Sequence, residues 1–430
     1  MTRSVSFHTL GCRLNQAETA AITRSFESRD FDIVAADTDA DIVVVNTCTV
    51  TENGDADTRR LVNRINRCNP DARIALIGCQ AQVQAATLRQ MPNVSWVVGN
   101  ARKMVLADIV ESAAVTDQPF VDVREIPAEN FTSPTAAVDY RHTRANLKIQ
   151  DGCDFYCFFC VIPYTRGHAR SRQFDDLLRE AAALVDAGHR EIVLTGVNIG
   201  TYEDGSKAFL DVVDALIAQP GLDRLRISSI EPTTIPTELF ERMAAGTALC
   251  RYLHIPLQSG SDDVLYRMNR RYSVSQYREF VELAYQRVPD LCLGTDVIVG
   301  YPGESDAHFD ETVELLRHLP LTYFHVFSYS ERERAKSQIF DNQVERTTIA
   351  ARSRVLRELS NRKRQVFFER FSGREVRVLF EQEKRQRWTG LTDNYIRVSV
   401  ASEQDLTNQL LPVRLEGSDD DGPCMTGVLL

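Results

Sequence analysis

The sequence predicts an α/β protein built from three successive domains, and three observations carry that reading. Through residues 1–113, continuous apolar strands alternate with amphipathic helices, the pattern of a parallel sheet covered on both faces. From residue 145 a longer series of strand–helix units begins. After Gly373 the periodicity changes to short alternating strands separated by turn residues, as in a small antiparallel β-barrel. At 430 residues the chain is too long for one hydrophobic core.

In the first part, "SVSFHTL" (4–10), "DIVVVNT" (41–47), "RIALIGC" (73–79) and "SWVVGN" (95–100) read as strands. "NQAETAAITRSFESR" (15–29), "ADTRRLVNRINRC" (56–68) and "AQVQAATLRQM" (81–91) read as helices, with a last helix ending near 113. This predicts a flavodoxin-like domain over 1–113. Residues 114–143 are rich in Pro, Asp and Thr and lack periodicity, so they read as a linker. Strands are then expected at 145–150, 191–196, 224–229, 251–258, 292–299 and 322–330. These units fall short of the eight of a closed barrel, so residues 144–366 are expected to form a partial, TIM-like (βα)6 barrel. A long basic amphipathic helix covers 347–370. "EVRVLFE", "RWTGLT", "YIRVSVA", "LLPVRLEG" and "MTGVLL" supply the strands of a small barrel within 367–430.

Composition narrows the function. A hydrophobic fraction of 43% and a charged fraction of 26% are ordinary for a globular protein. The net charge of −10 argues against coating nucleic acid through bulk charge, so RNA contact must come from local basic patches. No apolar run approaches the ~20 residues of a membrane span, and "MTRSVSFHTLGC" lacks the core of a secretory signal. A cytoplasmic protein without membrane contact is expected. In a reducing compartment, ten cysteines point to metal or redox work rather than a disulfide framework.

Cys153, Cys157 and Cys160 form C-x3-C-x2-C within "DGCDFYCFFCVIPYTRGHARSR" (151–172). Zinc sites usually take four ligands as paired C-x2-C motifs, and ferredoxin clusters take four thiolates. The next cysteine is Cys250. Three thiolates on a four-iron cube leave one iron open to a chelating amino and carboxylate pair. The alternative is a three-thiol zinc knuckle with a distant histidine. Cys48 and Cys79 end two strands, and Cys12 lies two residues past another. In an open α/β sheet, ligands gather beyond the carboxyl ends of the strands, so these thiols can converge as a second triplet. Cys68, Cys250, Cys292 and Cys424 have no sequence partner and read as packing residues. His254 and His325 read as satisfied core histidines.

The C-x3-C-x2-C motif resembles the radical S-adenosylmethionine superfamily. The resemblance implies a 4Fe-4S cluster whose open iron binds S-adenosylmethionine, which is cleaved to a 5′-deoxyadenosyl radical. It puts Phe159 beside the adenine. It puts the methionine amino group at "TGVNIG" (195–200), with Thr195, Gly196 and Asn198. It puts the adenosine against "GTDVIVGYPGE" (294–304), with Ile298, Gly300 and Gly303. Across the whole chain, "TLGCRLNQAET" (9–19), "NTCTVT" (46–51), "IGCQAQ" (77–82) and "QDGCDFYCFFCVIPYTRG" (150–167) resemble the methylthiotransferases. That family joins an N-terminal cluster domain, a radical core and a C-terminal TRAM domain. The resemblance implies two 4Fe-4S clusters, on Cys12, Cys48 and Cys79 and on Cys153, Cys157 and Cys160. It implies two S-adenosylmethionine molecules per turnover: one methylates a cluster-held sulfur, the other is split to activate a C–H bond.

"RISSIEP" (226–232), "HIPLQSGSD" (254–262) and "HVFSYS" (325–330) resemble the subgroup acting on N6-threonylcarbamoyladenosine beside the tRNA anticodon. The alternatives are isopentenyladenosine in tRNA, a ribosomal-protein aspartate, or a non-catalytic, zinc-containing RNA-binding protein. "ERERAKS" (331–337) departs from the family's Gly-Thr loop. Glu231 and Arg226 are read as polar groups at the mouth of the third strand, the carboxylate meeting S-adenosylmethionine or the threonylcarbamoyl group. Arg166, Arg170 and Arg172 are expected at RNA phosphates near the active mouth. Arg352, Arg354, Arg357, Arg362, Lys363 and Arg364 of the long helix, with Lys384, Arg385 and Arg387 of the barrel, are expected to grip the tRNA backbone; the alternative for the helix is a solvated face. Trp388 and Tyr395 are read as packing residues before base-stacking ones. A monomer supplied with electrons by a flavodoxin- or ferredoxin-type donor is expected.

Overall fold

The computed structural model describes residues 2–50, 52–112, 118–133, 142–418 and 423–430. The sheet of the first domain is led by Ile42–Thr47, β-branched at every position but Asn46 and buried along its whole length, as a strand covered on both faces requires. It pairs in parallel with Ser4–Thr9 on one side and Arg73–Gly78 on the other. Numbered along the chain as Ser4–Thr9, Asp32–Ile33, Ile42–Thr47, Arg73–Gly78, Val94–Val98 and Phe120–Asp122, the sheet runs in the order 2-1-3-4-5-6, the flavodoxin-like order with one strand added. That sixth strand, Phe120–Asp122, pairs with Trp96–Val98. It lies in the stretch read as an aperiodic linker, and three residues are too few for a sequence period to reveal. Residues 114–117 and 134–141 of that stretch lie outside the described residues.

The second domain has six parallel strands: Arg144–Lys148, Glu191–Thr195, Arg224–Ile227, Tyr252–His254, Cys292–Val299 and Tyr323–Ser328. They form two three-stranded sheets, joined by the bridges Leu225–Leu249 and Ser229–His254. The barrel is open, and both free edges are covered. Helix Arg346–Glu369 covers the last strand, where Ser360 Oγ accepts from Phe324 N–H and donates to its carbonyl. Helix Arg13–Glu27 of the first domain packs on the first strand through Lys148 Nζ and Glu18 Oε1, 2.7 Å apart. Covering an edge removes a template for unwanted pairing.

The third domain is a closed five-stranded barrel. Its pairings are antiparallel except one: Arg397–Ala401 and Met425–Leu429 close it in parallel. Arginines of the core pin it in place. Arg224 donates to the carbonyls of Leu391 and Arg377 at 2.8 and 2.6 Å, and Arg226 to those of Asp393 and Thr392 at 2.8 and 3.1 Å. No helix among the described residues is long and apolar enough to cross a membrane.

Candidate active site

Cys12, Cys48 and Cys79 follow the carboxyl ends of three adjacent parallel strands. Cys12 and Cys48 flank the junction of strands 1 and 3, the switch point where such sheets bind ligands. Gly11 makes the approach: its φ is +90°, and a Cβ there would stand 2.7 Å from Cys48 Cβ and Sγ. Burial and the neighbouring thiols Cys79 and Cys12 push Cys48 up to about 11. Cys12 opens onto a chamber yet is ringed by protein, and burial, with Cys79, raises it too. Asn100 Nδ2 points at Cys79 Sγ across 3.6 Å.

Cys153, Cys157 and Cys160 sit on the loop after the first core strand. Burial, then Cys157, raises Cys160 to about 12, and burial raises Cys153 to about 11. Ile162 N–H donates to Cys160 Sγ at 3.4 Å, and Arg270 Nη1 to Cys157 Sγ at 3.1 Å. Arg270 also pairs with Glu231. Thus Glu231, read as a ligand contact, acts on the thiol loop through an arginine that carried no mark in the sequence.

Among the described residues, only His254, Asp296 and His325 bring three ligand atoms within 4.8 Å of one another. Buried thiols with raised pKa values bind once a cation displaces their protons, and N–H groups aimed at sulfur are the usual surroundings of iron–sulfur clusters.

The residues that the resemblance assigns to S-adenosylmethionine take the following places. Phe159 and Ile298 both pack on Val264, Met268 and Tyr301. Gly300, at φ +81°, donates to Glu304 Oε2 at 2.8 Å. Gly196 lies so close to the Gln150 carbonyl that a Cβ would stand 2.9 Å from it. Gln150, just before the thiol loop, accepts from Val197 and Asn198 N–H at 2.9 Å and donates to the Asp151 and Gly152 carbonyls. It locks that loop to Thr195–Asn198. Asn198 Nδ2 is buried without a hydrogen-bond partner, beside a pocket shared with Cys153. An orphaned donor there fits a bound carboxylate.

A chamber of about 920 Å³ joins the domains, lined by Cys12 and Cys48, by Thr195 and Gly196, and by Tyr395 and Arg397 of the small barrel. Asp296 lines it between His254 Nε2, at 3.1 Å, and His325 Nδ1, at 3.4 Å. Burial opposes its ionisation, but the two imidazoles outweigh that and hold the carboxyl below its usual range. His325 is therefore a wall of the chamber, not a core residue, with 53% of its side chain exposed.

Several basic residues lie elsewhere than the sequence suggests. Arg166 is buried, bonded to Glu18, Asp151 and Asn15 Oδ1. Arg172 is buried against Asp176 and Glu180. Arg170 pairs with Asp151 at 3.3 Å and lies over Phe131. The guanidinium groups of Arg166 and Arg172 are thus taken up by buried carboxylates, whereas Arg170 keeps its Nε without a partner. Arg226 is likewise buried on Glu191 rather than a free polar group. Arg352 is buried on Glu304 and Asp306, Lys363 caps the carbonyls of Arg317 and Leu319, and Arg364 lies over Tyr323. Arg354, Arg357, Arg362, Lys384 and Arg385 are exposed, while Arg387 bonds Ser399. Trp388 is buried in the barrel core; Tyr395 is half-buried at the chamber. Cys250 and Cys292 are buried, but Cys68 is exposed. In the divergent loop, Arg334 adopts φ +75°, a conformation glycine favours, and Arg332 reaches Thr49 Oγ1 and Asp55 Oδ2, both at 2.6 Å.

Comparison with known proteins agrees with this geometry. Residues 147–316 match the Radical SAM superfamily, and residues 4–99 match Uncharacterized protein family UPF0004. The chain is 34% identical to threonylcarbamoyladenosine tRNA methylthiotransferase MtaB of Bacillus subtilis, over 96% of this chain and 93% of that protein. It is 36% identical to the protein of that name from Aquifex aeolicus, over 92% and 96%. It is 30% identical to tRNA-2-methylthio-N(6)-dimethylallyladenosine synthase of Lawsonia intracellularis, over 96% of each. Among solved structures, the radical S-adenosylmethionine methyltransferase TsrM of Kitasatospora setae superposes with a TM-score of 0.59 at 16% identity, covering 79% of this chain and 77% of that one.

Proposed function

This chain belongs to the radical S-adenosylmethionine tRNA methylthiotransferase family, and from that premise we propose that it converts N6-threonylcarbamoyladenosine beside the anticodon to its 2-methylthio derivative. The observation that carries the reading is the chamber where Cys12 and Cys48 face the Thr195–Gly196 turn. Cys153, Cys157 and Cys160 would hold one 4Fe-4S cluster, and Cys12, Cys48 and Cys79 the other. When bound, the clusters and two S-adenosylmethionine molecules supply the electron, the methyl group, the sulfur anchorage and the carbon radical that an unreactive C–H bond requires.

The chain's own residues do the positioning. Gln150 fixes the turn at Thr195–Asn198 to the thiol loop, and the orphaned Asn198 amide offers a donor to the methionine end. Phe159 and Ile298 wall the adenine. Asp296, held ionised by His254 and His325, offers the target base an acceptor for its N–H groups. The small barrel closes the rim with Tyr395, and its exposed Lys384 and Arg385 attract the RNA backbone. The threonylcarbamoyl substrate is supported by the names of the Bacillus and Aquifex relatives. Anaerobic turnover on tRNA carrying N6-threonylcarbamoyladenosine tests the reading: the 2-methylthio nucleoside, 5′-deoxyadenosine and S-adenosylhomocysteine should all form. Absence of the modified nucleoside with this RNA, but its formation with isopentenyladenosine RNA, would reassign the substrate.

A further inference from the structure

Charge around the chamber does not balance, and the excess is shared by Arg13, beside the thiols, and Arg397, on the small barrel. Glu381 is paired with Arg144 at 2.6 Å, Glu191 with Arg226 at 2.6 Å, and Asp296 with its two histidines. Arg13, which lines the chamber beside Cys12, has no carboxylate partner among the described residues. Its hydrogen bond to the Tyr395 hydroxyl, donated by Nη2, is a long one at 3.5 Å. Arg13 also opens a 15-residue helix, Arg13–Glu27, which has no acidic residue in its first turn and no side-chain cap from Cys12. The free N–H groups and positive end of that helix therefore face the chamber. The Tyr395 phenol senses the same field. Burial would raise it, yet Arg13, Arg144 and Arg226 together bring it below its ordinary value.

We propose that Arg13 and the Tyr395 hydroxyl form an anion subsite that takes the carboxylate of the threonylcarbamoyl group. This rests on the substrate reading above and adds to it the residues that recognise the substrate. A guanidinium fork matches a carboxylate in shape as well as charge, and Tyr395 brings the small barrel into contact with the modified base.

The test uses the anaerobically reconstituted enzyme and two anticodon stem-loops, one carrying N6-threonylcarbamoyladenosine and one carrying its threonyl methyl ester. The wild type should favour the acid over the ester by roughly 10-fold or more in kcat/KM, the worth of a charge-assisted hydrogen bond. Arg13→Gln should collapse that ratio towards one, and Arg13→Lys should restore part of it. A wild type indifferent to esterification overturns the proposal without any variant. So does an Arg13→Gln enzyme that loses both substrates equally, or that loses iron, since either result assigns Arg13 to the neighbouring thiols. A wild type that modifies neither RNA overturns the substrate reading itself, an outcome distinct from a ratio of one.

Discussion

Arg270 stands over Cys157, its Nη1 3.1 Å from Sγ, while its Nη2 is tied to Glu231. A cationic donor on a cluster thiolate stabilises the reduced, more negative state. Arg270→Gln should therefore lower the midpoint potential of the core cluster, by on the order of 50 mV for the loss of about 1.4 kcal/mol of differential stabilisation. Burial holds the Glu231 carboxyl above its usual range, and the loss of Arg270 removes the cation that opposes that rise. A redox titration followed by electron paramagnetic resonance reads the shift, and an unchanged potential would leave Arg270 a packing residue.

Glu18 joins the first two domains. It is buried and contacts Arg166, Lys103 and Lys148. Burial opposes its ionisation, but these cations hold its carboxyl well below the usual range. A depressed folded-state pKa gives stability that is present above the unfolded value, near 4.3, and lost as pH falls below it. Stability should thus decline from about pH 4.5 downwards. Glu18→Gln should cost about 3–5 kcal/mol at pH 7, because it strands buried cations, and should flatten that acid limb. Urea unfolding across pH 3.5–7 measures both effects.

Gly11→Ala should damage one cluster site alone. The added Cβ would meet Cys48 Cβ and Sγ at 2.7 Å on a backbone already at φ +90°. Iron should fall from about eight to about four atoms per chain, with 5′-deoxyadenosine formation retained. Retention of the full iron complement would show that the loop yields.

The hairpin of the small barrel presents Lys384 and Arg385 to solvent, whereas Arg166 and Arg172 are spent on carboxylates. Replacing Lys384 and Arg385 with Ala should weaken tRNA binding and reduce the slope of log K against log salt by roughly one per residue removed. Filter binding between 50 and 200 mM salt checks this.

The fold was legible where a local period carried it. The apolar run Ile42–Thr47, the core strands and the barrel strands from Glu375–Lys384 onwards all announce themselves within a few residues. Spacing alone groups Cys153, Cys157 and Cys160, and the strand ends bring Cys12, Cys48 and Cys79 to one edge of the sheet. What sequence hid were relations set by distant packing. Arg166 looks like a phosphate contact until Glu18, 148 residues away, is found bonded to it. Arg270 meets Cys157 across 113 residues. His325 sits in a strand like a core residue but lines the chamber. The three-residue strand Phe120–Asp122 exists only because the edge at Trp96–Val98 receives it.

The most direct test of two separate cluster sites is the Cys48→Ala enzyme, reconstituted anaerobically and given S-adenosylmethionine, reductant and substrate tRNA. About four irons should remain, 5′-deoxyadenosine should still form, and no methylthio nucleoside should appear. Methylthiolation at the wild-type level, or loss of iron from both sites together, would contradict the account.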